Sequence, residues 1–326
     1  MEQYNIKTKV VGVDISNELT TYAIVDVRGN ILAEDSFPTT DYPDVNNFVT
    51  ALSEKIVMLV ESNGGYETIR SIGVSSPSAS PVSGCIENAA NLPWKGIVPL
   101  AAMLRDRIGL AVGLSNDAHV SALGEYTFGS AHGMRNFIIV SLGVGIGSCF
   151  FAEGEEHQGN MGYAGEFGHT CIAEEGRQCG CGHRGCVEAY VGANGIVRTA
   201  RELLEESDKP SLMREAERLS PKIITGFCNE GDELAIEVYR RTGYVLGLGL
   251  ANYASIVDPE AIILTGGISH AGKWLVDPAS DSFEEHVFGN LKGKVKILLS
   301  KLDDRERDVL GASALAWSVP EYSLFK

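Results

Sequence analysis

The chain has 326 residues, 44% of them hydrophobic, which is enough for a large core and suggests two lobes or one large α/β unit. Its formal net charge of −16 disfavours direct binding to nucleic acid, because that affinity depends on neutralising phosphates with basic side chains. The N-terminus lacks the apolar segment of a secretory signal, and the longest uncharged apolar stretch, 243–257, is short and broken by glycines, so we expect a cytoplasmic protein that contacts no membrane.

The first part of the chain is predicted to form strands followed by a helix. Short apolar runs alternate with turn residues, and a Gly-Asn turn separates the second run from the third, which is typical of an antiparallel meander. Apolar residues then recur at helical spacing before a further strand begins. The predicted strands are 10–15, 20–26, 31–37 and 72–74, and the predicted helix is 44–63.

A second strand–turn–strand unit follows in the other half of the chain. The predicted strands 137–142 and 148–152 flank a glycine-rich turn over 143–147. This repetition suggests an internally duplicated α/β fold. A glycine-rich turn between two strands is more often a tight turn or bulge than a ligand site, so the turn alone is weak evidence for function.

Further along, a long predicted helix, about 232–256, leads into a strand over 259–264 and the pair Gly266-Gly267. Exposed backbone N–H groups at such a turn attract phosphate or ribose oxygens. The pair could equally do no more than end a strand. Together with the turn over 143–147, it favours a nucleotide site facing one cleft between two lobes.

Between these elements lies a cluster of metal-ligand side chains, His169, Cys179, Cys181 and Cys186. Three thiolates and an imidazole are a typical ligand set of structural zinc, and the interleaved glycines allow a tight loop. Seven cysteines in a chain without a secretory signal fit reduced thiols and a metal better than a disulfide framework. Redox chemistry or disulfides remain alternatives, and His183 is a rival fourth ligand.

Two loops carry candidate substrate residues. Asn116 and Asp117 follow the predicted strand 110–114, where Asn or Asp is a good helix N-cap. The functional alternative is a carboxylate at the carboxyl end of a strand, acting as general base towards a substrate hydroxyl. In the other loop, Asn91 lies beside Trp94, an aromatic that is more often a packing residue than a platform for a sugar.

A series of short motifs then occurs in a characteristic order: Gly73 with Pro77, 91–96, 116–118 with 122–125, 142–147, 166–169, 179–188, 264–267 and 310–314. This order resembles the ROK family of sugar kinases and sugar-responsive repressors. The resemblance implies a duplicated actin/hexokinase-like (ribonuclease H-like) α/β ATPase fold, with two lobes around a cleft. We expect an N-terminal lobe over 1–118, with a helix at 309–318 packing back on it, and a C-terminal lobe over 119–326 with a zinc loop at 169–186.

The resemblance also implies roles for individual residues. Asp117 looks like the base that takes the proton from a sugar hydroxyl, typically the 6-OH of a hexose or N-acetylhexosamine. One nitrogen of His169 is expected to meet a structural zinc ion while the other faces the sugar. The implied sugar ligands are Asn91, Asn116, Glu166, His169 and Glu188, and the implied zinc ligands are His169, Cys179, Cys181 and Cys186.

The same resemblance implies ATP with magnesium as cosubstrate and a homodimer as the assembly. The nucleotide would contact glycine-rich turns from both halves of the chain. The residues expected to bind it are Asp14, Gly143, Val144, Gly145, Gly266 and Gly267. A repressor of this family carries a helix-turn-helix domain before the first strand, and few residues precede that strand here, so we expect no direct binding to operator DNA.

The first phosphate loop departs from the family pattern, Asp-x-Gly-Gly-Thr-Lys. After Asp14 the chain has Ser16, Asn17, Glu18 and Leu19, and Val144 occupies a threonine position in the second loop. A Glu18 carboxylate about 5 Å from a phosphate would cost roughly 3 kcal/mol per unit charge at an effective dielectric near 20. Two hypotheses remain: a sugar kinase with an unusual loop, in which hydroxyls compensate, or a sugar-binding sensor without turnover. The hydroxyls available are those of Thr20, Thr21 and Ser148.

Overall fold

Two five-stranded sheets, one in each half of the chain, organise the protein in the computed structural model, which describes residues 7–89, 91–160 and 163–320, with only the backbone of 304 and 305. The strands are β1 (Lys9–Ile15), β2 (Leu19–Asp26), β3 (Ile31–Pro38), β4 (Ile69–Ser75), β5 (Ala79–Ser80), β6 (Cys85–Glu87), β7 (Ile97–Val98), β8 (Ala111–Ser115), β9 (Phe137–Leu142), β10 (Ile146–Ala152), β11 (Glu155–Glu156), β12 (Ala261–Thr265) and β13 (Lys296–Leu299). The α-helices are α1 (Val45–Ser62), α2 (Leu100–Ile108), α3 (Asp117–Thr127), α4 (Glu188–Val191), α5 (Ala193–Glu206), α6 (Pro221–Asn229), α7 (Glu233–Val257), α8 (Lys273–His286) and α9 (Asp304–Ser318).

The two large sheets have the same strand order and the same strand directions. The first runs β3-β2-β1-β4-β8 and the second β11-β10-β9-β12-β13. In each sheet the first three strands are antiparallel, and the third, fourth and fifth are parallel. The predicted duplication of an α/β unit is therefore confirmed.

The chain divides into two compact units, one up to His132 and from Leu302 onward, and the other over Gly133–Lys301. The first unit thus contains α3, which differs from the expected boundary at residue 118. The reason is close packing of α3 on α9: a Cβ atom on Gly311 would lie 2.1 Å from the carbonyl oxygen of Val120. Because α9 is part of this unit, α3 is part of it too.

In the first unit, α9 lies directly on the backbone of β1 and β4. A Cβ atom on Gly12 would lie 2.4 Å from the carbonyl oxygen of Val309, and one on Gly73 only 1.9 Å from that of Ala312. Glycine is therefore required at both strand positions. On the other side of the sheet, α1 buries its apolar stripe, and its N-cap Asp44 accepts two backbone N–H bonds.

In the second unit, α7 and α8 pack backbone to backbone through small residues. A Cβ atom on Gly247 would lie 2.2 Å from the carbonyl oxygen of Ala279. The central strands β9 and β12 are buried on both faces, as expected for parallel strands covered by helices. No helix in the described part of the chain is long and apolar enough to cross a membrane.

Candidate functional site

The second unit brings together the four expected metal ligands. One donor atom from each of His169, Cys179, Cys181 and Cys186 lies within 4.8 Å of the others. The Cys181 and Cys186 sulfurs are 3.7 Å apart, and Cys179 Sγ is 3.8 Å from His169 Nδ1. A tetrahedral zinc ion with bonds of about 2.3 Å to sulfur places two sulfurs about 3.8 Å apart, so the donor set fits zinc. His183, the rival ligand, is exposed and lies outside this group.

Glycines in left-handed conformation fold the loop that carries the thiols. Gly182 and Gly185 have φ angles of 94° and 73°. A Cβ atom on Gly185 would lie 1.8 Å from the carbonyl oxygen of Ala173, so no other residue fits there. The loop is closed by a 2.8 Å hydrogen bond from the Cys179 N–H to the carbonyl oxygen of His183.

The thiol environment favours a bound cation. Burial raises the pKa of Cys179, and burial followed by the neighbouring Cys181 thiol raises the pKa of Cys186 to about 12. The backbone N–H of His183 instead lowers the pKa of Cys181. Sulfurs this close repel one another as thiolates, and a divalent cation would reverse that repulsion and hold all three deprotonated.

His169 faces two different groups with its two ring nitrogens. Nδ1 points to Cys179, and Nε2 lies 3.9 Å from Glu166 Oε2, too far for a hydrogen bond. The short 3-10 turn Phe167–His169 that positions the ring is anchored by Phe167, which is buried and stacked on Tyr253 with centroids 5.3 Å apart. His169 Nε2 and the exposed Glu166 carboxylate are thus available to one hydroxylated ligand.

Glu188 connects the thiol loop to the second glycine-rich turn. Its Oε2 accepts a hydrogen bond from the Ile146 N–H at 3.0 Å, and its Oε1 lies 3.6 Å from Cys179 Sγ. A Cβ atom on Gly145 would lie 2.9 Å from Glu188 Oε2, which explains the glycine at that position. Sequence reasoning assigned Glu188 to the sugar only, since nothing in the spacing signals a contact between residues this far apart in the chain.

The turn between β9 and β10 presents backbone and one exposed side chain. Gly143 N–H donates to the carbonyl oxygen of Gly145 at 3.0 Å, and Val144 is 78% exposed. The expected compensating hydroxyl of Ser148 is already engaged, because it donates to the carbonyl oxygen of Gly165. Since valine has no side-chain donor, only the backbone of this turn can bind phosphate oxygens.

The glycine pair after β12 has two different roles. Gly266 has a φ of 83°, and a Cβ atom there would lie 2.6 Å from the carbonyl oxygen of Leu142, so glycine is needed for close packing on β9. Nothing lies within 4 Å of a Cβ atom placed on Gly267, so its surface is open to a ligand.

In the first unit, Asp117 and Asp14 lie at or near the carboxyl ends of parallel strands. Asp117 begins α3, and its carboxylate accepts a 2.8 Å hydrogen bond from the Ala118 N–H. The carboxylate is open to solvent, yet the protein packed around it desolvates it and raises its pKa, while that N–H bond and His119 lower it. Asn116 is the N-cap and accepts from the same N–H at 3.0 Å, so the capping interpretation holds for Asn116.

Asp14 lies half-buried near the end of β1. Burial, followed by the nearby Asp308 and Asp117 carboxylates, raises the pKa of Asp14 to about 7. A bound cation would stabilise the charged form and lower this pKa. Because the Asp117 carboxylate contributes to the raised pKa of Asp14, the two carboxylates are close enough to influence each other electrostatically.

The loop 91–96 divides into a buried and an exposed part. Trp94 packs on Phe48 with ring centroids 4.3 Å apart and donates its Nε1–H to the carbonyl oxygen of Tyr42 at 3.0 Å. The prediction that Trp94 is a packing residue is confirmed. Asn91 is exposed, and its side chain makes no hydrogen bond to any described residue, so its amide is free to meet a ligand.

The altered first phosphate loop forms a turn that closes on itself. Ser16 Oγ donates to the carbonyl oxygen of Leu19 at 2.8 Å and accepts from the Leu19 N–H at 3.1 Å. Thr20 is buried, and its hydroxyl shares a 2.8 Å hydrogen bond with that of Thr39. Thr20 cannot replace the missing threonine of the loop without breaking that bond. Glu18 is exposed at the tip of the turn.

Comparison with known proteins points to one family. A family model described as the ROK family matches residues 10–319. A glucokinase of Streptomyces coelicolor is 31% identical over 94% of this chain and 96% of its own length. A xylose repressor of Caldicellulosiruptor bescii is 26% identical over 96% of this chain and 80% of its own length. The crystal structure of a ROK family glucokinase from Streptomyces griseus, in complex with glucose and AMPPNP, is 28% identical, covers 95% of this chain and 100% of that one, and superposes with a TM-score of 0.77.

Proposed function

The chain belongs to the ROK family, and from that premise we propose that it transfers a phosphoryl group from ATP to the 6-hydroxyl of a hexose or N-acetylhexosamine. The observation that carries the proposal is the position of Asp117, an exposed carboxylate at the carboxyl end of a parallel strand with a raised pKa. The glucokinase relatives, and the solved glucokinase with glucose and AMPPNP, support both the substrate class and the cosubstrate.

Asp117 is the general base of the proposed reaction. Phosphoryl transfer needs one positioned base for the attacking hydroxyl, and the rest of catalysis is alignment and neutralisation of charge. A carboxylate with a raised pKa is a stronger base than one with the ordinary value. The Ala118 N–H holds the Asp117 carboxylate in place without preventing its second oxygen from taking the proton.

The sugar is bound by residues from the thiol loop and its neighbours. His169, Cys179, Cys181 and Cys186 would hold a zinc ion, which is structural because four protein ligands close its coordination sphere. A zinc ion held there would fix the His169 ring through Nδ1, which would leave Nε2 and the Glu166 carboxylate to meet sugar hydroxyls. Glu188, Asn91 and Asn116 complete the proposed set.

ATP with magnesium is bound by backbone groups and one acid. We assign the backbone N–H groups of Val144, Gly145 and Gly267 to phosphate and ribose oxygens, because the Gly143 N–H is already bonded to the Gly145 carbonyl oxygen. Asp14 is the acid proposed to bind magnesium. The closed turn at Ser16 and the exposed Glu18 reduce ATP affinity relative to a glycine-rich loop, because fewer N–H groups are free and one negative charge is added.

The same turn favours a second candidate function, a sugar-binding sensor without turnover. Its support is the engaged Ser16 and Thr20 hydroxyls together with the relatives that are xylose repressors. A sensor would retain the zinc-braced sugar site and have lost effective phosphoryl transfer.

A coupled assay of ADP release distinguishes the two candidates. The sugars to test are glucose, mannose, N-acetylglucosamine, N-acetylmannosamine, fructose and allose. Turnover with at least one sugar is the expected result. Sugar binding by calorimetry without ADP release from any of the six would replace the kinase with the sensor.

A further inference from the structure

The second unit contains a cavity of about 390 Å³ that the proposed function does not use. It lies between α5, α7 and the chain segment that flanks the thiol loop. Its volume is within the range of small-molecule sites, roughly 300–1,000 Å³. Its lining includes Arg177, Tyr190, Arg240, Arg241 and Tyr244.

The charged side chains that line this cavity are three arginines, although the chain as a whole carries a net charge of −16. The carboxylates that pair with them belong to residues outside the lining, Glu202, Glu206 and Glu237. The cavity is therefore lined by three arginines whose partner carboxylates belong to residues outside the lining, and this excess of positive charge favours an anionic ligand.

Arg177 is a fixed cation in the cavity wall. Its side chain is 10% exposed, its guanidinium lies 4.7 Å from the centre of the Tyr190 ring, and it pairs with Glu202. It also donates to the carbonyl oxygen of Gly195 at 3.1 Å and to Thr199 Oγ1 at 2.9 Å. With its donors engaged, Arg177 contributes charge rather than new hydrogen bonds.

Arg240 and Arg241 retain donors for a ligand. Both pair with Glu237, and Arg241 also contacts Glu206 at 3.0 Å. The Nη1 atom of each makes no hydrogen bond to any residue in the described part of the chain. Both side chains are more than one third exposed, so these ion pairs each contribute at most about 1 kcal/mol and a stronger anion can compete with the glutamates.

An aromatic surface adjoins these two guanidinium groups. Tyr244 is 45% exposed and lies one helical turn beyond Arg240 and Arg241 on α7. Its ring is held edge-on against His286 with centroids 5.6 Å apart. A ligand with a ring next to an anionic group can contact both features at once.

We propose that this cavity binds a small organic phosphate, with the phosphate on Arg240 and Arg241 and a sugar or base ring against Tyr244. A phosphomonoester carries a charge of about −1.5 to −2 near neutral pH and offers oxygens that match the planar guanidinium. The site is distinct from the proposed ATP site, none of whose residues line it.

Two hydrogen bonds made by the backbone of Arg177 join the cavity to the thiol loop. The Arg177 N–H donates to the Tyr190 hydroxyl at 2.9 Å, and the Arg177 carbonyl oxygen accepts from the Gly185 N–H at 2.9 Å. A ligand in the cavity also packs against Arg177 and Tyr190, and through them it restrains the loop that carries Cys179, Cys181 and Cys186, the proposed partners of His169 in zinc binding. This second step rests on the proposed sugar site, and it makes the organic phosphate a regulator of sugar affinity, with equal and reciprocal coupling.

Calorimetry on the full zinc-loaded chain tests the binding step with three probes: inorganic phosphate, glucose 6-phosphate and AMP. We expect the double variant Arg240→Gln, Arg241→Gln to bind the preferred probe about tenfold or more weakly. The matched control is Arg105→Gln, an exposed arginine paired with Asp106 in the first unit, which should bind as the unaltered chain does. The three probes distinguish a simple phosphate from a sugar phosphate and a nucleotide.

A second variant separates the ring contact from the charge. Tyr244→Ala should weaken glucose 6-phosphate or AMP and leave inorganic phosphate unchanged. Equal binding of every probe by the unaltered chain and the double variant, or no binding of any probe at millimolar concentration, would overturn the proposal. A loss of dimer in the double variant, measured by sedimentation, would assign the arginines to an interface between copies and also overturn it.

The regulatory step has its own readout. Glucose affinity, measured with and without a saturating preferred probe, should differ at least severalfold, and the difference should vanish in the double variant. An unchanged glucose affinity would overturn regulation while leaving the phosphate site in place. Failure of all sugar binding would instead count against the proposed function.

Discussion

Glu188 accepts a 3.0 Å hydrogen bond from the backbone N–H of Ile146, the first residue of β10. Its other oxygen lies 3.6 Å from Cys179 Sγ. One carboxylate thus joins the thiol loop to the turn over 143–145. A change that breaks either contact should therefore alter both the loop and the turn.

Glu188→Ala should weaken sugar and nucleotide together. The variant leaves the Ile146 N–H without its partner, and we expect affinity for a non-hydrolysable ATP analogue to fall about tenfold, besides the loss of sugar affinity. Calorimetry with each ligand measures both effects. Glu188→Gln keeps an oxygen for that N–H and should retain most nucleotide affinity; if it lost as much as Glu188→Ala, the hydrogen bond would not be the cause.

Asp117→Asn should lower kcat by at least about 10²-fold and change sugar affinity little, because the amide retains an acceptor for the Ala118 N–H but cannot take a proton. Steady-state ADP release and sugar calorimetry measure the two quantities. Asp106→Asn, an exposed carboxyl in the same unit, is the control. Full turnover of Asp117→Asn would remove it as the base.

Cys181→Ser should release zinc and weaken sugar binding by about tenfold or more, because His169 loses the ion that orients its ring. Metal content by mass spectrometry and sugar calorimetry measure the outcome. Cys171 is exposed, close in sequence and outside the four-ligand group, so Cys171→Ser is the matched control. One zinc per chain in Cys181→Ser would refute the ligand assignment.

The raised pKa of Asp14 predicts a pH-dependent gain in stability from Asp14→Asn. The folded chain holds a proton on Asp14 up to about pH 7, whereas the unfolded chain releases it near 3.8. Ionisation therefore destabilises the fold as pH rises between these values. We expect the variant to raise the free energy of unfolding by about 1–3 kcal/mol near pH 8 and to have almost no effect near pH 3, as measured by urea denaturation. A gain independent of pH would contradict this cause.

Glu18→Thr should raise affinity for the ATP analogue about tenfold, because it removes a negative charge from the exposed first phosphate loop. Glu34→Gln, an exposed carboxylate on β3, serves as control. Equal affinity of the two variants for the ATP analogue would show that Glu18 does not lie near the phosphates. The closed turn at Ser16 would then be the cause of the reduced affinity.

Much of this fold follows from local patterns in the sequence. Helical spacing predicted 44–63, and α1 spans Val45–Ser62. The second strand–turn–strand unit predicted a strand at 137–142, which matches β9. The small sheet of β5, β6 and β7 was not predicted, because strands of two or three residues carry too little periodicity.

The clustering of the four metal-ligand side chains could be predicted because they are concentrated in a short segment, whereas contacts created by tertiary packing were missed. The thiol loop is compact in sequence, so its donor set could be read directly. The contact between Glu188 and Ile146 and the arginine cavity each join distant segments, for which spacing carries no signal. Gly266 is a related case, because its close approach to Leu142 arises only when β9 and β12 pair.

The packing of α9 on β1 and β4 has a consequence for biosynthesis. The second unit is formed by one continuous stretch, whereas the first needs a helix that the ribosome makes after all of that stretch. Domains fold as units during translation. The sheet of β1 and β4 therefore stays uncovered at Gly12 and Gly73 until α9 is synthesised, whereas the second unit is complete before α9 and can fold first.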